Sequence, residues 1–115
     1  MPTLDDVRVA LRQFVADRDW QQFHDPKNLA MLVASEAGEL VAEYRWVRSE
    51  NADAHSEEPK ARARIASEIA DVAIAILLLS DRLGLNLEQA IADKLAVNAG
   101  RYPVETSRGR AERPG

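Results

Sequence analysis

Two short segments of the chain carry acidic residues in pairs at the same spacing. Glu36 and Glu39 lie in the segment SEAGEL, and Glu68 and Asp71 lie in the segment SEIADV. Residues three apart in an α-helix point about 60° apart, so each pair shares one helix face. Glu36 and Glu68 also fall on the apolar stripes of their segments, which predicts that both pairs turn towards the interior.

Paired carboxylates of this kind have an ordinary interpretation and a chemical one. Acids at the edge of an apolar stripe are usually exposed to solvent. Four that face one another would instead lose hydration and repel, which drives them towards protonation. A divalent cation removes both penalties, and oxygen ligands without His or Cys suit Mg²⁺ or Mn²⁺. Because Mg²⁺ commonly binds substrate phosphates, the acids indicate phosphate chemistry, and Glu43 lies on the same face as Glu36.

Composition limits the classes of protein that fit. The 115 residues fit one domain, and with only 5% aromatic residues its core must be aliphatic. An alanine-rich, glycine-poor composition favours helices. The net charge of −4 argues against a nucleic-acid or anionic-membrane partner. Cysteine is absent, which excludes disulfides and thiolate chemistry and fits a reducing compartment.

No targeting or membrane segment is expected. The segment MPTLDDVRVA has early acids and no apolar core, unlike a signal peptide. The longest apolar run, VAIAILLL at residues 72–79, is far shorter than the span of about 20 residues that a membrane requires. A cytoplasmic location is therefore expected.

Apolar residues recur at helical spacing in four segments, which predicts an all-α fold of the four-helix-bundle type over residues 1–103. The predicted helices are about 4–18, 26–47, 60–83 and 87–101. The residues that predict helix starts are Thr3 with Asp6, Asp25 before Pro26, and Asn86. Gly84 predicts the end of the third helix. The polar segment SENADAHSEEP is predicted to be a loop, and residues 104–115 a polar, Arg-rich tail.

The third predicted helix indicates an assembly of subunits. Residues 72–79 are apolar on every helix face, so they should be buried on more than one side. A single small bundle would struggle to cover them. We therefore expect helices to pack across a subunit interface in a homodimer or homotetramer.

The acid pairs and their surroundings resemble a known family. Glu36-x-x-Glu39 followed by Glu68-x-x-Asp71 resembles the metal motif of the MazG-like all-α nucleoside triphosphate pyrophosphohydrolases. The segments RDWQQFHDPKNLAMLVASEAGELVAEYRW and KLAVNAGRYPVETSRG are similar to the dCTP pyrophosphatase branch, and the likeness spans about residues 5–109. It implies a four-helix-bundle-type fold, a dimer or dimer of dimers, Mg²⁺ dependence, and cleavage of a nucleoside triphosphate to monophosphate and pyrophosphate.

The resemblance also implies roles for individual residues. All four acids would be metal ligands, and Glu39 is our choice for an additional role in orienting the attacking water as a base. The implied base-site residues are Trp20, His24 and Trp46; the implied phosphate and nucleotide contacts are Lys94, Asn98 and Tyr102. Taken singly, these side chains also fit core packing, for the tryptophans, or a solvated surface, for the others.

One position departs from the branch, and two rival functions remain. The tyrosine that the branch has four residues after the last motif acid is Ala75 here, which predicts weaker selection for deoxyribose. The first rival is hydrolysis of dUTP or of purine triphosphates in general. The second is a non-catalytic helical oligomerisation module, in which the acids only solvate the bundle.

Overall fold

The structure, a computed structural model, describes residues 1–111 and is helical in those residues, with no strand among them. The helices are α1 (Leu4–Asp17), α2 (Pro26–Ala42), α3 (Ala52–Glu57), α4 (Pro59–Arg82), α5 (Leu87–Arg101) and α6 (Val104–Ser107). The four long helices α1, α2, α4 and α5 match the predicted ones, so the all-α prediction is confirmed.

The predicted end signals act as expected. Thr3 Oγ1 accepts from the Asp6 backbone N–H at 3.1 Å, and Asp6 Oδ2 accepts from the Thr3 N–H at 2.9 Å, which makes a reciprocal cap. The Asp25 and Asn86 side chains cap α2 and α5, each at 2.9 Å from a backbone N–H of the first turn. Gly84 follows α4 with φ +67, a conformation that glycine adopts without strain.

The predicted end of the second helix and the predicted loop after it are wrong. After Ala42 the backbone tightens, because the Tyr44 N–H bonds the carbonyl three residues back. Residues 52–57 then form α3. The Tyr44 hydroxyl lies 2.7 Å from Ser56 Oγ, and His55 Nε2 lies 3.1 Å from the Glu43 carbonyl. These contacts between distant residues fix α3 and could not be read from local polarity.

Two compact units divide the chain. The first is Met1–Gly84, and the second begins at Leu85. In the first unit α2 packs most extensively on α4, and α3 also packs on α4. The buried apolar residues among those described are Val15, Leu29, Ala61, Ile65, Ala75 and Leu77. The short helix α6 falls within the segment expected to be a tail, whose last residues, 112–115, lie outside the described part.

Large apolar side chains remain on the surface of α2 and α4. Val41 is 64% exposed, and Met31, Ile69 and Ile76 are also exposed. Leu40, Val41, Tyr44, Ile65 and Ile69 line an open apolar groove together with Arg45. The apolar face predicted for α4 is therefore only partly covered within this chain.

In residues 1–111, no helix is both long enough and apolar enough to cross a membrane.

Candidate metal centre

Three of the four predicted metal ligands converge. Glu36 projects from α2, and Glu68 and Asp71 project from α4, so that carboxylate oxygens of all three lie within 4.8 Å of one another. Glu36 and Glu68 are half-buried, whereas Asp71 is exposed. Oxygens this close can contact one divalent cation, and the exposed side leaves room for water ligands or a substrate oxygen.

The electrostatics of these acids fit a cation. Burial raises the pKa of Glu68 above its usual 4.5, and the negative charges of Asp71, Glu39, Glu36 and Glu43 raise that pKa further. A bound cation would instead favour the ionised form of these carboxylates. Hard carboxylate oxygens without His or Cys are the donors that Mg²⁺ and Mn²⁺ prefer, so the residues present fit the predicted metal.

Glu39 lies beside this group but is not one of its three converging members. It is exposed on α2, and its charge is close enough to raise the pKa of Glu68. Its roles as a fourth ligand and as a base therefore remain predictions.

The helices α2 and α4 run antiparallel along the site. Glu36 of α2 meets Glu68 of α4, while Leu29 and Leu77 line one common cavity. A step back along α2 therefore corresponds to a step forward along α4. The acids and the cavity therefore lie at two different points along the same pair of helices.

The cavity has a volume of about 150 Å³ and lies in the first unit among α1, α2 and α4. Its apolar lining is Leu11, Val15, Leu29, Leu77 and Leu78, and its polar lining is Arg8, Arg12, Gln21, His24, Asp81 and Arg82. Leu78 follows Asp71 by seven residues, so cavity and acids share one face of α4, about 10 Å apart. Ala75, with 0% exposure, lies between them.

The structure places the three predicted base-site residues differently. Half-buried His24 lines the cavity. Trp20 is partly exposed and packs edge-on against Phe14, with ring centroids 5.7 Å apart. Trp46 is 87% exposed, with the Arg45 guanidinium 5.5 Å from its ring. Such exposure excludes core packing of Trp46 within this chain.

The remaining predicted contacts belong to the second unit. Lys94 and Asn98 line the same shallow groove on α5, beside Ile91. Tyr102 caps the end of α5, and the Arg101 guanidinium lies 5.9 Å from its ring. Their roles towards a nucleotide stay predictions.

Two ion pairs beside the site were not singled out from sequence. Arg12 of α1 bonds Asp81 of α4 through Nε and Nη2. Arg64 Nε bonds Glu43 Oε2 at 3.2 Å. Helical spacing does place Arg64 on the face of Glu68 and Asp71, four and seven residues earlier, and that signal could have found it.

Known proteins resemble this chain along most of its length. It is 40% identical over 110 residues to dCTP pyrophosphatase 1 of Mus musculus, and the aligned part covers 96% of this chain and 65% of the mouse protein. It is 34% identical over 112 residues to dCTP pyrophosphatase 1 of Homo sapiens, which covers 97% of this chain and 66% of the human protein. The chain thus spans 65–66% of the lengths of these curated relatives.

A solved structure and a family model agree with this likeness. The crystal structure of a pyrophosphatase from Archaeoglobus fulgidus superposes with a TM-score of 0.81 and 32% identity, covering 90% of this chain and 94% of that one. The model of the MazG-like family matches residues 33–115, which include both acid pairs. The chain therefore belongs to the MazG-like family, as the resemblance of its acid pairs predicted.

Proposed function

We propose that this chain hydrolyses a nucleoside triphosphate to the monophosphate and pyrophosphate, in nucleotide-pool house-cleaning, with dCTP or a modified pyrimidine deoxynucleotide favoured. The observation that carries the proposal is the convergence of Glu36, Glu68 and Asp71 from two helices within 4.8 Å. Relatives named dCTP pyrophosphatase 1 support the substrate, and the pyrophosphatase structure supports the reaction. The proposed cation is Mg²⁺, with Mn²⁺ as a substitute.

The acids would act mainly by positioning and by balancing charge. A divalent cation held by Glu36, Glu68 and Asp71, with Glu39 as a fourth ligand, would neutralise triphosphate charge and polarise the phosphate under attack. Glu39 would additionally accept a proton from the attacking water and orient it. Phosphoryl transfer needs little covalent help from a protein, so no Cys or Ser nucleophile is required.

The base is proposed to lie in or beside the cavity that His24 lines. The spacing of about 10 Å along α4 supports this, because the base and phosphates of a nucleotide are separated by its sugar. Trp20 is proposed as a stacking surface there, since bases stack well on indole. Trp46 follows α2 at its Glu43 end, away from this cavity, so its proposed stacking role would require the cavity of a second copy of the chain. On the resemblance alone, Lys94 is proposed as a phosphate contact, and Asn98 and Tyr102 as nucleotide contacts.

The domain of residues 1–103 is proposed to carry this activity, with residues 104–115 as a tail. The proposed assembly is a homodimer or homotetramer, because the apolar groove around Val41 and Ile69 stays open in one chain. The compartment we propose is the cytoplasm. No nucleic acid or membrane is proposed as a partner.

A substrate panel tests the proposal. The protein is incubated with Mg²⁺ and each of dCTP, CTP, dUTP, dTTP and the purine triphosphates, and the products are identified by chromatography. We expect monophosphate plus pyrophosphate, with the highest kcat/KM for dCTP or its modified forms. Release of diphosphate plus phosphate would contradict the reaction, and a preference for dUTP or purines would select the rival substrates.

Thermal melting with and without Mg²⁺ separates the enzyme from a non-catalytic module. A carboxylate site gains stability from the ion in proportion to RT ln(1 + [L]/Kd). A module whose acids are merely solvated should melt at the same temperature in both conditions.

A further inference from the structure

Arg64 lies on α4, at one end of the group of acids that α2 and α4 bring together. Its Nε donates to Glu43 Oε2 at 3.2 Å, while its side chain is 55% exposed. In the described residues, no hydrogen bond to its two terminal Nη groups is seen. Glu43 thus binds the guanidinium through Nε alone, and the two Nη groups remain available to donate hydrogen bonds to a ligand.

The register of α4 fixes what that edge faces. Arg64 precedes Asp71 by seven residues, and Leu78 follows Asp71 by seven. All three lie on one helix face, with about 10 Å of helix rise on either side of Asp71. Along this face the guanidinium of Arg64 comes first, then the converging carboxylates, and then the cavity.

A nucleoside triphosphate laid along this face would have its ends in different surroundings. With the base at the cavity and the attacked phosphate at the acids, the outer phosphates extend away from the cavity, towards Arg64. The neighbouring charges from Glu36, Glu39, Glu68 and Asp71 are all negative and would repel those phosphates where no cation screens them. Arginine matches phosphate oxygens well because its planar fork offers paired donors.

We propose that Arg64 binds the outer phosphates of the substrate, the part released as pyrophosphate, and that Glu43 orients its guanidinium. The assignment rests on the proposed function and deepens it. It separates the phosphate that stays on the nucleotide from the two that leave, since only the latter would touch Arg64.

A purely structural ion pair would look different. Arg12 engages Asp81 with both Nε and Nη2, which commits two corners of its fork to one carboxylate. Arg64 instead makes a single bond to Glu43. Exposed pairs of this kind contribute little to stability, so the pair with Glu43 is by itself a weak reason for Arg64 to lie beside the acids.

The test compares Arg64→Met and Arg64→Lys with Arg62→Met. Arg62 is an exposed arginine on the same helix, two residues and about 200° away, which makes it a matched control. Binding of inorganic pyrophosphate, and separately of dCMP, is measured by calorimetry with Mg²⁺ present. Circular dichroism verifies that each variant keeps the helical fold, and dCTP hydrolysis is measured in parallel.

Pyrophosphate affinity should fall about tenfold or more in Arg64→Met, since a charged hydrogen-bond donor is lost. It should fall less in Arg64→Lys and stay at the parent value in Arg62→Met, while dCMP affinity stays unchanged in all three. A parent protein that hydrolyses dCTP but binds pyrophosphate equally well without Arg64 overturns the assignment and leaves the proposed function standing. Equal weakening of dCMP also overturns it. A parent that hydrolyses no triphosphate overturns both.

Discussion

At the scale of single residues, Glu68 lies where burial and four neighbouring carboxylates all oppose its negative charge. An acid whose folded pKa is raised makes the fold less stable as pH climbs from its usual 4.5 through the folded pKa. At neutral pH the charged group therefore destabilises the metal-free protein. A bound cation would turn the same carboxylates into a source of stability.

Replacing Glu68 with glutamine should separate these two effects. We expect Glu68→Gln to lower kcat/KM by about a hundredfold or more, because a ligand is lost. The same change should raise the melting temperature of the metal-free protein and reduce the gain from added Mg²⁺. Calorimetry with and without Mg²⁺ measures both, with Glu57→Gln on α3 as a control. Parent-like turnover in Glu68→Gln would refute the metal centre.

Trp46 allows a second test at this scale. Because it is 87% exposed, Trp46→Ala should change the free energy of unfolding by less than about 0.5 kcal/mol. If the ring stacks on the base, KM for dCTP should rise about tenfold with kcat little changed. Trp46→Phe, which keeps a ring, should recover most of the affinity. A fall in kcat with KM unchanged would exclude the stacking role.

The burial of Ala75 bears on the substitution that would restore the tyrosine of the branch. Its exposure is zero, so a tyrosine at this position would overpack the site and cost about 1–3 kcal/mol. Restoring the tyrosine of the branch is therefore not a simple test of deoxyribose selection, and the weaker selection expected from the sequence stays a prediction.

At the scale of helices, the pair between Arg12 and Asp81 ties α1 to the end of α4 beside the cavity. The hydrogen bond from Arg12 holds the pKa of Asp81 below its usual 3.8. A lowered folded pKa means that the stabilisation is complete above the usual value and is lost as pH falls through the folded value.

The variant Asp81→Asn should therefore be less stable than the parent at neutral pH. The difference between the two proteins should shrink as pH falls from about 4 downwards, because the parent loses its charge there. Urea unfolding at several pH values measures this, with Asp53→Asn on α3 as a control whose difference from the parent should not follow that course. A constant difference for Asp81→Asn would contradict the pKa assignment.

Local signals predicted the elements whose causes are local. Caps at Thr3, Asp25 and Asn86 set helix starts because their side chains bond backbone groups within one turn. The acid pairs were predictable for the same reason, since helical spacing puts both members on one face. Helix α3 was missed because it depends on Tyr44 meeting Ser56. Helical spacing also places Arg64 on the face of the acids, but its bond to Glu43 depends on the register between α2 and α4, which one sequence does not supply.

At the scale of the whole molecule, the feature that most needs an explanation is the apolar surface that stays exposed to solvent. Val41 lies in an open groove to which α4 contributes Ile65 and Ile69. Apolar patches of this kind commonly mark contacts between protein chains. A second copy of the chain is the expected occupant, in line with the predicted homodimer or homotetramer.

Introducing a charge into this groove should break the assembly. Val41→Glu is expected to shift the protein towards monomer in sedimentation at micromolar concentration. Val9→Glu on α1 is a matched control, since Val9 is 63% exposed and Val41 is 64% exposed. The parent should sediment as a dimer or larger. A parent that is monomeric and fully active would refute the assembly.

The common face of Asp71 and Leu78 also makes the length of α4 matter more than its composition. One residue inserted between them would turn everything downstream by about 100° and move the cavity wall off the acids. Seven inserted residues would restore the face but carry the wall about 10 Å farther away. The exposed side chains of this stretch, Ala73 and Ile76, can therefore change more freely than the number of residues can, whereas Ala75 and Leu77 are buried. Insertions and deletions here should be the least tolerated of all alterations to the helix.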